Sequence, residues 1–372
     1  MDLTVERFNI SNERYILGDI NITDLTLAQR DNNQAQKNYN KLLETLALYE
    51  KLEGKLNKNW QLQKALAYYH TGKKRQAVNA SNNLLQNLAS INNAQIVQGL
   101  LFIYINSQAY TQAAKVAEYL LQQQPKTATL WFRLSHIYVQ AKNYSKAANT
   151  LLLAQQNGIT LEPKHLQMLI QLQAKAHNPH LAARLLQQAM DDNILPANEG
   201  RLTQLFQFWY IAKDYANAAK ALEANYQLQK NPEHLMLAAK LYQKLENWPK
   251  LTNTLTTACN NGLADAQISQ ANLLLGLGFY HQQQFANAQK AWVNATLLPG
   301  LQNEAKAYLS LIESGNEDNN ASNTLTAPCL PSWAEAGTSL SFASTAPPSK
   351  TSDESQEEKL VIFEVKPGIK QT

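Results

Sequence analysis

Anchor residues, six of the seven alanine, recur through the middle of this chain at nearly even intervals. Ala77, Ala113, Ala147, Ala183, Ala218, Leu251 and Ala288 stand 33 to 37 residues apart. A chain that repeats itself at such an interval is not built around one central core. Each unit is a supersecondary element that buries its apolar face only by stacking on its neighbours, so 372 residues need no second core. The clearest unit runs from Thr129 to Asn157. Trp131, Leu134 and Tyr138 are three and four residues apart and share one helical face. Ala141-Lys142-Asn143 reads as a tight turn, and a second helix follows from Tyr144 with Ala147, Leu151 and Ala154 on one face. Ser135 and Ala147 are small enough to let the two helices approach closely. A shift of 34 residues towards the N-terminus superposes Val97, Leu101, Tyr104, Tyr110, Ala113, Ala117 and Leu120 on the same grammar.

A period of about 34 with this alternation of large and small residues is that of the tetratricopeptide repeat. The expected fold is all-α, a right-handed α-α superhelical solenoid. Seven helical hairpins and a capping helix (Asn303 to Ile312) occupy 58–313. Residues 25–57 form a cap or a degenerate first repeat, with Leu42, Leu43, Leu46, Tyr49 and Leu52 on one stripe, and 1–24 have no firm reading. With only 13 Gly and 12 Pro, breakers are scarce. Gly276 takes the small packing position of the last hairpin. From 314 to 372 Asn, Ser, Thr, Pro and Glu dominate, a composition expected to stay disordered, with a strand-like end from Lys359 to Val365. Cys259 reads as a small buried apolar residue and Cys329 as part of the polar tail, so no disulfide is expected.

The formal charge of +4 is too mild for a nucleic-acid signature. No apolar run approaches the roughly 18 residues that span a bilayer; the best is Leu100 to Ile105. Acidic and basic residues interrupt the N-terminus before a signal-peptide core could form. None of the seven histidines lies in a His-Glu-x-x-His context, and no P-loop, Gly-x-Ser-x-Gly or dinucleotide fingerprint occurs. The reading is therefore non-catalytic, with no cofactor, metal or small-molecule substrate.

The carboxy-terminal half resembles a narrower group. Glu246-Asn247-Trp248, Asn261-Gly262-Leu263, Leu273 to Gly276 with Phe279-Tyr280, then Phe285, Ala288, Ala291-Trp292 and the Ala305-Lys-Ala-Tyr helix are similar to the tetratricopeptide proteins that accompany TonB-type energy-transduction systems of Gram-negative bacteria. The resemblance covers roughly residues 40–313 and implies a periplasmic, non-catalytic scaffold. The missing signal pattern means either that Met1 is an internal start or that the protein stays in the cytoplasm. In the repeat class the first helix of each pair lines a concave groove, which implies a partner-binding set of Gln98, Phe102, Ile105, Phe132, His136, Val139, Met168, Leu172, Tyr210, Met236, Lys240, Leu277 and Tyr280. Aromatics and methionines among amides suit a peptide or helix from another protein, such as a component of a membrane-linked transport complex. The alternative is a helical-repeat reader of nucleic acid. It would need a Lys/Arg stripe, whereas the groove positions hold only Lys175 and Lys240.

Overall fold

The structure is a computed structural model that describes residues 22–297, 300–313 and 329–338, with side chains from residue 34 onward except at 52, 53 and 313. Among the described residues all regular structure is helical and no strand occurs. The helices are α1 (Ile22–Glu53), α2 (Lys58–His70), α3 (Lys74–Gln86), α4 (Ala94–Asn106), α5 (Tyr110–Gln123), α6 (Ala128–Gln140), α7 (Tyr144–Gln156), α8 (Pro163–Lys175), α9 (Pro179–Asp191), α10 (Glu199–Ile211), α11 (Tyr215–Gln229), α12 (Pro232–Lys244), α13 (Trp248–Asn260), α14 (Asp265–His281), α15 (Phe285–Ala295) and α16 (Gln302–Glu313). A 3-10 turn spans Leu88–Ser90.

Two compact units divide at Ala221/Leu222, inside α11. In the first, α1 packs on α2, and the pairs α2–α3, α4–α5, α6–α7 and α8–α9 follow, each pair packed on the next. In the second, α12–α13 and α14–α15 pair in the same way and α16 closes on α15. Both units are runs of tetratricopeptide-type hairpins. Helix α1 begins earlier than the sequence suggests, at Ile22, and buries Leu46 while Leu48 and Tyr49 stay exposed. Lys64 of α2 pairs with Glu50 of α1.

The turns inside the hairpins share one geometry. Gly72, Gln108, Lys142, His177, Lys213, Glu246 and Gln283 occupy the same place and all have φ between 53° and 77°. Just beyond each, an N–H reaches back five residues: Ala109 to Tyr104, Asn143 to Tyr138, Asn178 to Gln173 and Asn247 to Tyr242, at 2.8–2.9 Å. This is the Schellman closure, which satisfies the last carbonyls of the first helix. Asparagine then starts the next helix at several turns: the Asn143 and Asn247 side chains accept from the N–H groups of Lys146 and Lys250. Proline at the first turn, where no N–H is needed, opens α8, α9 and α12.

The anchors Ala77, Ala113, Ala147, Ala183, Ala218, Leu251 and Ala288 are all wholly buried. Six of them are alanine, whose smallness sets the helix spacing, and Leu251 is the larger exception. Ser135 is buried against α7 and its hydroxyl donates to the Ala147 carbonyl at 3.0 Å, a bond that needs the two backbones close together. At the far end Trp292 is fully buried with Ala288, Val293, Leu309 and Ile312, at a typical gain of about 1.5–3 kcal/mol per large side chain.

Part of the polar tail departs from expectation. Cys259 of α13 and Cys329 form a disulfide across 70 residues, with Cα atoms 5.0 Å apart. Residues 329–338 lie as a strap on the second unit. The Asn272 amide donates to the Cys329 carbonyl at 2.7 Å, and the Ser332 N–H and hydroxyl both donate to the Asp265 carboxylate. Leu330 and Ala334 pack on the Trp292 cluster. The reading of two unpaired cysteines is thus corrected, as is that of disorder throughout 314–372. Local composition describes a segment in isolation, whereas here α13 supplies the disulfide partner, α14 the hydrogen-bond partners and the Trp292 cluster of α15 and α16 the apolar surface that the strap lacks. Residues 314–328 and 339–372, with the strand-like stretch, lie outside the described residues, as do residues 1–21.

Candidate functional site

The first helices of the hairpins carry the predicted partner-binding set, and a narrow stripe of each remains accessible. Burial takes up much of these helices because each packs on its own partner helix and on neighbouring hairpins. In the first unit Gln98, Phe102 and His136 are exposed, and Ile105, Phe132, Val139, Met168 and Tyr210 are half-buried. In the second unit Lys240, Leu277 and Tyr280 are half-buried. Two expectations fail: Leu172 and Met236 are only 4% and 2% exposed. Leu172 sits among Leu169, Ile170 and Gln173, and Met236 among Leu235, Ala238 and Ala239, all buried. Both are core residues and offer nothing to a partner.

Aromatic rings join successive helices of the first unit. Tyr39 of α1 stacks on His70 of α2 with centroids 4.7 Å apart, and Tyr69 of α2 meets the edge of Phe102 of α4 at 5.2 Å. His70 and Phe102 are 6.5 Å apart. Phe102 is still 40% exposed, so these contacts leave much of its ring uncovered. Tyr69, His70 and Tyr39 were missed by the sequence reading. Carrying the groove register one hairpin further back, to α2, would have found Tyr69 at the place of Ile105. Further along, Phe132 of α6 stacks on His165 of α8 at 3.6 Å and 15°. Burial beneath that ring is the first cause, and nearby Lys164 the second, that hold the His165 imidazole below its usual pKa. Phe206 and Tyr210 of α10, with Tyr215 of α11, form another ring group at 5.7–5.8 Å.

In the second unit Tyr280 of α14 lies 5.5 Å from Phe285 and 5.8 Å from Trp292, while Trp248 of α13 stacks on His281 of α14 at 4.0 Å. Charge is sparse along these stripes: Lys175 stands 5.3 Å over the Tyr144 ring, and Lys240 is half-buried. The arrangement presents aromatic faces and amides, which can hold apolar side chains and peptide groups of another chain. Among the described residues no group of three His, Cys, Asp or Glu could hold a metal ion, and no helix is long and apolar enough to cross a membrane.

No family model matches the chain, and no curated protein matches it. Solved structures do. The Naa15/Naa10 complex bound to HypK-THB is 13% identical with a TM-score of 0.41, over 84% of this chain and 55% of that one. The protein YrrB, described as a TPR protein with an unusual peptide-binding site, is 16% identical with a TM-score of 0.31, over 54% and 97%. The C-terminal part of a TPR repeat-containing protein from Cytophaga hutchinsonii is 17% identical with a TM-score of 0.32, over 67% and 99%. The chain spans little more than half of the Naa15/Naa10 chain and of the Cut9-Hcn1 chain that it also matches. At these TM-scores the likeness adds nothing to what the hairpins, turns and repeat interval establish.

Proposed function

We propose that this protein is a non-catalytic scaffold that binds a peptide or helix of another protein along the first-helix stripes. The observation that carries the reading is Phe102. It is a large ring, 40% exposed, backed by Tyr69 and His70, and the packing of the repeats leaves it open. A few such aromatic anchors usually dominate an interface. The sparse charge along the stripes disfavours the nucleic-acid reading, which needs cations to meet phosphates.

The finer reading is an accessory of a TonB-type transport system working in the periplasm. It is supported by the resemblance of the carboxy-terminal half to that group and by the Cys259–Cys329 bond, since disulfides persist mainly in oxidising compartments. Phe102→Ala, Phe132→Ala and Tyr210→Ala separate binding from folding when partner retention from native extract and thermal melts are measured together. Phe102→Ala is expected to lose the partner at an unchanged melt, because its ring is largely uncovered. Full retention of partner by all three variants would refute the first-helix surface. Partners drawn only from cytoplasmic assemblies would refute the transport-system reading while leaving the scaffold standing.

A further inference from the structure

The strap on the second unit is held by more than its disulfide, and its contacts have the character of peptide recognition. Side chains of α14 meet its main chain at two points. The Asn272 amide donates to the Cys329 carbonyl, and the Asp265 carboxylate accepts both the N–H and the hydroxyl of Ser332. Between these points Pro331 is buried and Leu330 packs on the Trp292 cluster. The Ala334 N–H then closes a turn onto the Pro331 carbonyl at 3.0 Å, and Trp333 points away, exposed. The grip on α14 thus falls on four consecutive residues, Cys329 to Ser332.

The strap does not saturate the face on which it lies. Asp265, Ser269 and Asn272 are four and three residues apart and share one side of α14. Asn272 and Ser269 are both buried, and Asn272 divides its amide hydrogens between the Ile268 and Cys329 carbonyls. The Ser269 hydroxyl, placed between the two residues that hold the strap, has no hydrogen-bond partner. Buried hydroxyls rarely go without one. A segment that met all three side chains would satisfy this face better than the strap, which meets two.

The covalent bond is open from one side. Cys329 is 2% exposed, whereas Cys259 of α13 is only half-buried. A thiolate of a dithiol reductant therefore reaches the Cys259 sulfur. A bond forms there, the protein disulfide breaks, and Cys329 leaves as a thiolate that takes a proton from water. The second thiol of the reductant then displaces Cys259, so the reductant ends as a disulfide and both cysteines end as thiols. From that point the strap keeps only its hydrogen bonds and apolar contacts, and another segment competes with it on equal chemical terms.

We propose that this face of α14 is a peptide-recognition site, closed in cis by the strap and opened, when the Cys259–Cys329 bond is reduced, to a non-helical segment of another protein. The strap itself defines the occupant. It carries a bulky apolar residue for the Trp292 cluster and, two positions on, a serine or threonine whose N–H and hydroxyl meet Asp265. Proline suits the position between them, because the Pro331 place is buried and no N–H from it is used. The site uses other side chains than the first-helix stripes and does not rest on the reading of those stripes.

The test uses the full-length protein carrying Cys329→Ser and Leu330→Asp, which disable the strap and leave Cys259, Asp265, Ser269 and Asn272 in place. A synthetic peptide of residues 327–336 bears its cysteine as a mixed disulfide with a small aromatic thiol, and mass spectrometry follows its transfer to Cys259. Transfer should be roughly tenfold or more faster than for the same peptide with Leu330→Asp and Ser332→Ala, the scale of one lost anchor. Adding Asp265→Ala to the protein should remove most of that advantage. In the oxidised parent, dithiothreitol should open the bond without urea, and proteolysis near Trp333 should follow. Circular dichroism verifies folding, and Cys329→Ser alone replaces the double variant if the latter does not fold. Equal transfer of the two peptides, or an advantage that survives Asp265→Ala, would overturn the recognition site. A disulfide that dithiothreitol opens only in urea would overturn its control by reduction.

Discussion

Gly276 of α14 lies against Trp292 of α15. A Cβ at that position would stand 2.2 Å from the indole Nε1 and 2.3 Å from Cδ1. The indole has little room to yield. It is wholly buried, stacks on Tyr308 with centroids 5.0 Å apart, and donates to the Leu273 carbonyl at 3.2 Å. Overpacking of this kind costs about 1–3 kcal/mol. Displacing the ring would also leave a buried N–H without its acceptor, at about 1–3 kcal/mol. Against this, alanine gains about 1 kcal/mol over glycine inside a helix. Gly276→Ala is therefore expected to cost about 1–5 kcal/mol, centred on about 3 kcal/mol. Gly99 is the control. Its added Cβ would meet the two methyl carbons of Leu62 at 2.9 Å and its Cγ at 3.4 Å, the movable end of one side chain, so Gly99→Ala should be neutral or slightly stabilising. Urea melts by circular dichroism, with hydrogen exchange of α14 and α15 to catch local opening, measure both. With m of about 1–3 kcal/mol/M, the expected loss moves the midpoint by roughly 1 M or more. Parental behaviour of Gly276→Ala in both measurements, or an equal loss from Gly99→Ala, would refute the packing argument.

Lys142→Gly, at φ 57°, should stabilise by up to about 1 kcal/mol, since a left-handed conformation suits glycine; a lowered urea midpoint would contradict this. His165 has a folded pKa below its unfolded one, so the folded state binds fewer protons as pH falls through the unfolded value near 6.5. Stability should therefore be full above that pH and decline under mild acid, with a shallower decline for His165→Gln; identical pH profiles in urea melts would count against it. Cys329→Ser should destabilise the second unit by about 2–4 kcal/mol, given a closed loop of 70 residues. Proteolysis should then cut near Trp333 sooner than in the oxidised parent, and equal cleavage rates would show that the hydrogen bonds to Asp265 hold the strap unaided.

The repeat was legible because its signal is physical and periodic. Ala147 and its counterparts must be small where helices cross, and Asn143 and Asn247 must cap, so the interval appears in the sequence itself. The accessible stripe was less legible. Each helical residue turns the side chain by about 100°, and the apolar arc on α8 and α12 is wide enough to take in Leu172 and Met236. The strap was not legible, because nothing periodic links Cys329 to Cys259. Its partners, Asp265 and Asn272, look like ordinary polar residues of a helix until the segment is seen lying on them.

The strap has a consequence for how such an array can be cut, copied or lengthened. Repeats usually multiply as blocks whose limits coincide with their own period. Here the stopper on the last block comes from non-repetitive sequence beyond it, fastened by Cys259 of the hairpin before. A duplication that copied only residues 58–313 would carry Cys259 without Cys329 and would uncover the places on the Trp292 cluster where Leu330 and Ala334 lie. Inheritance of the array is thereby tied to inheritance of its tail: the two must travel together, or the bared end becomes adhesive.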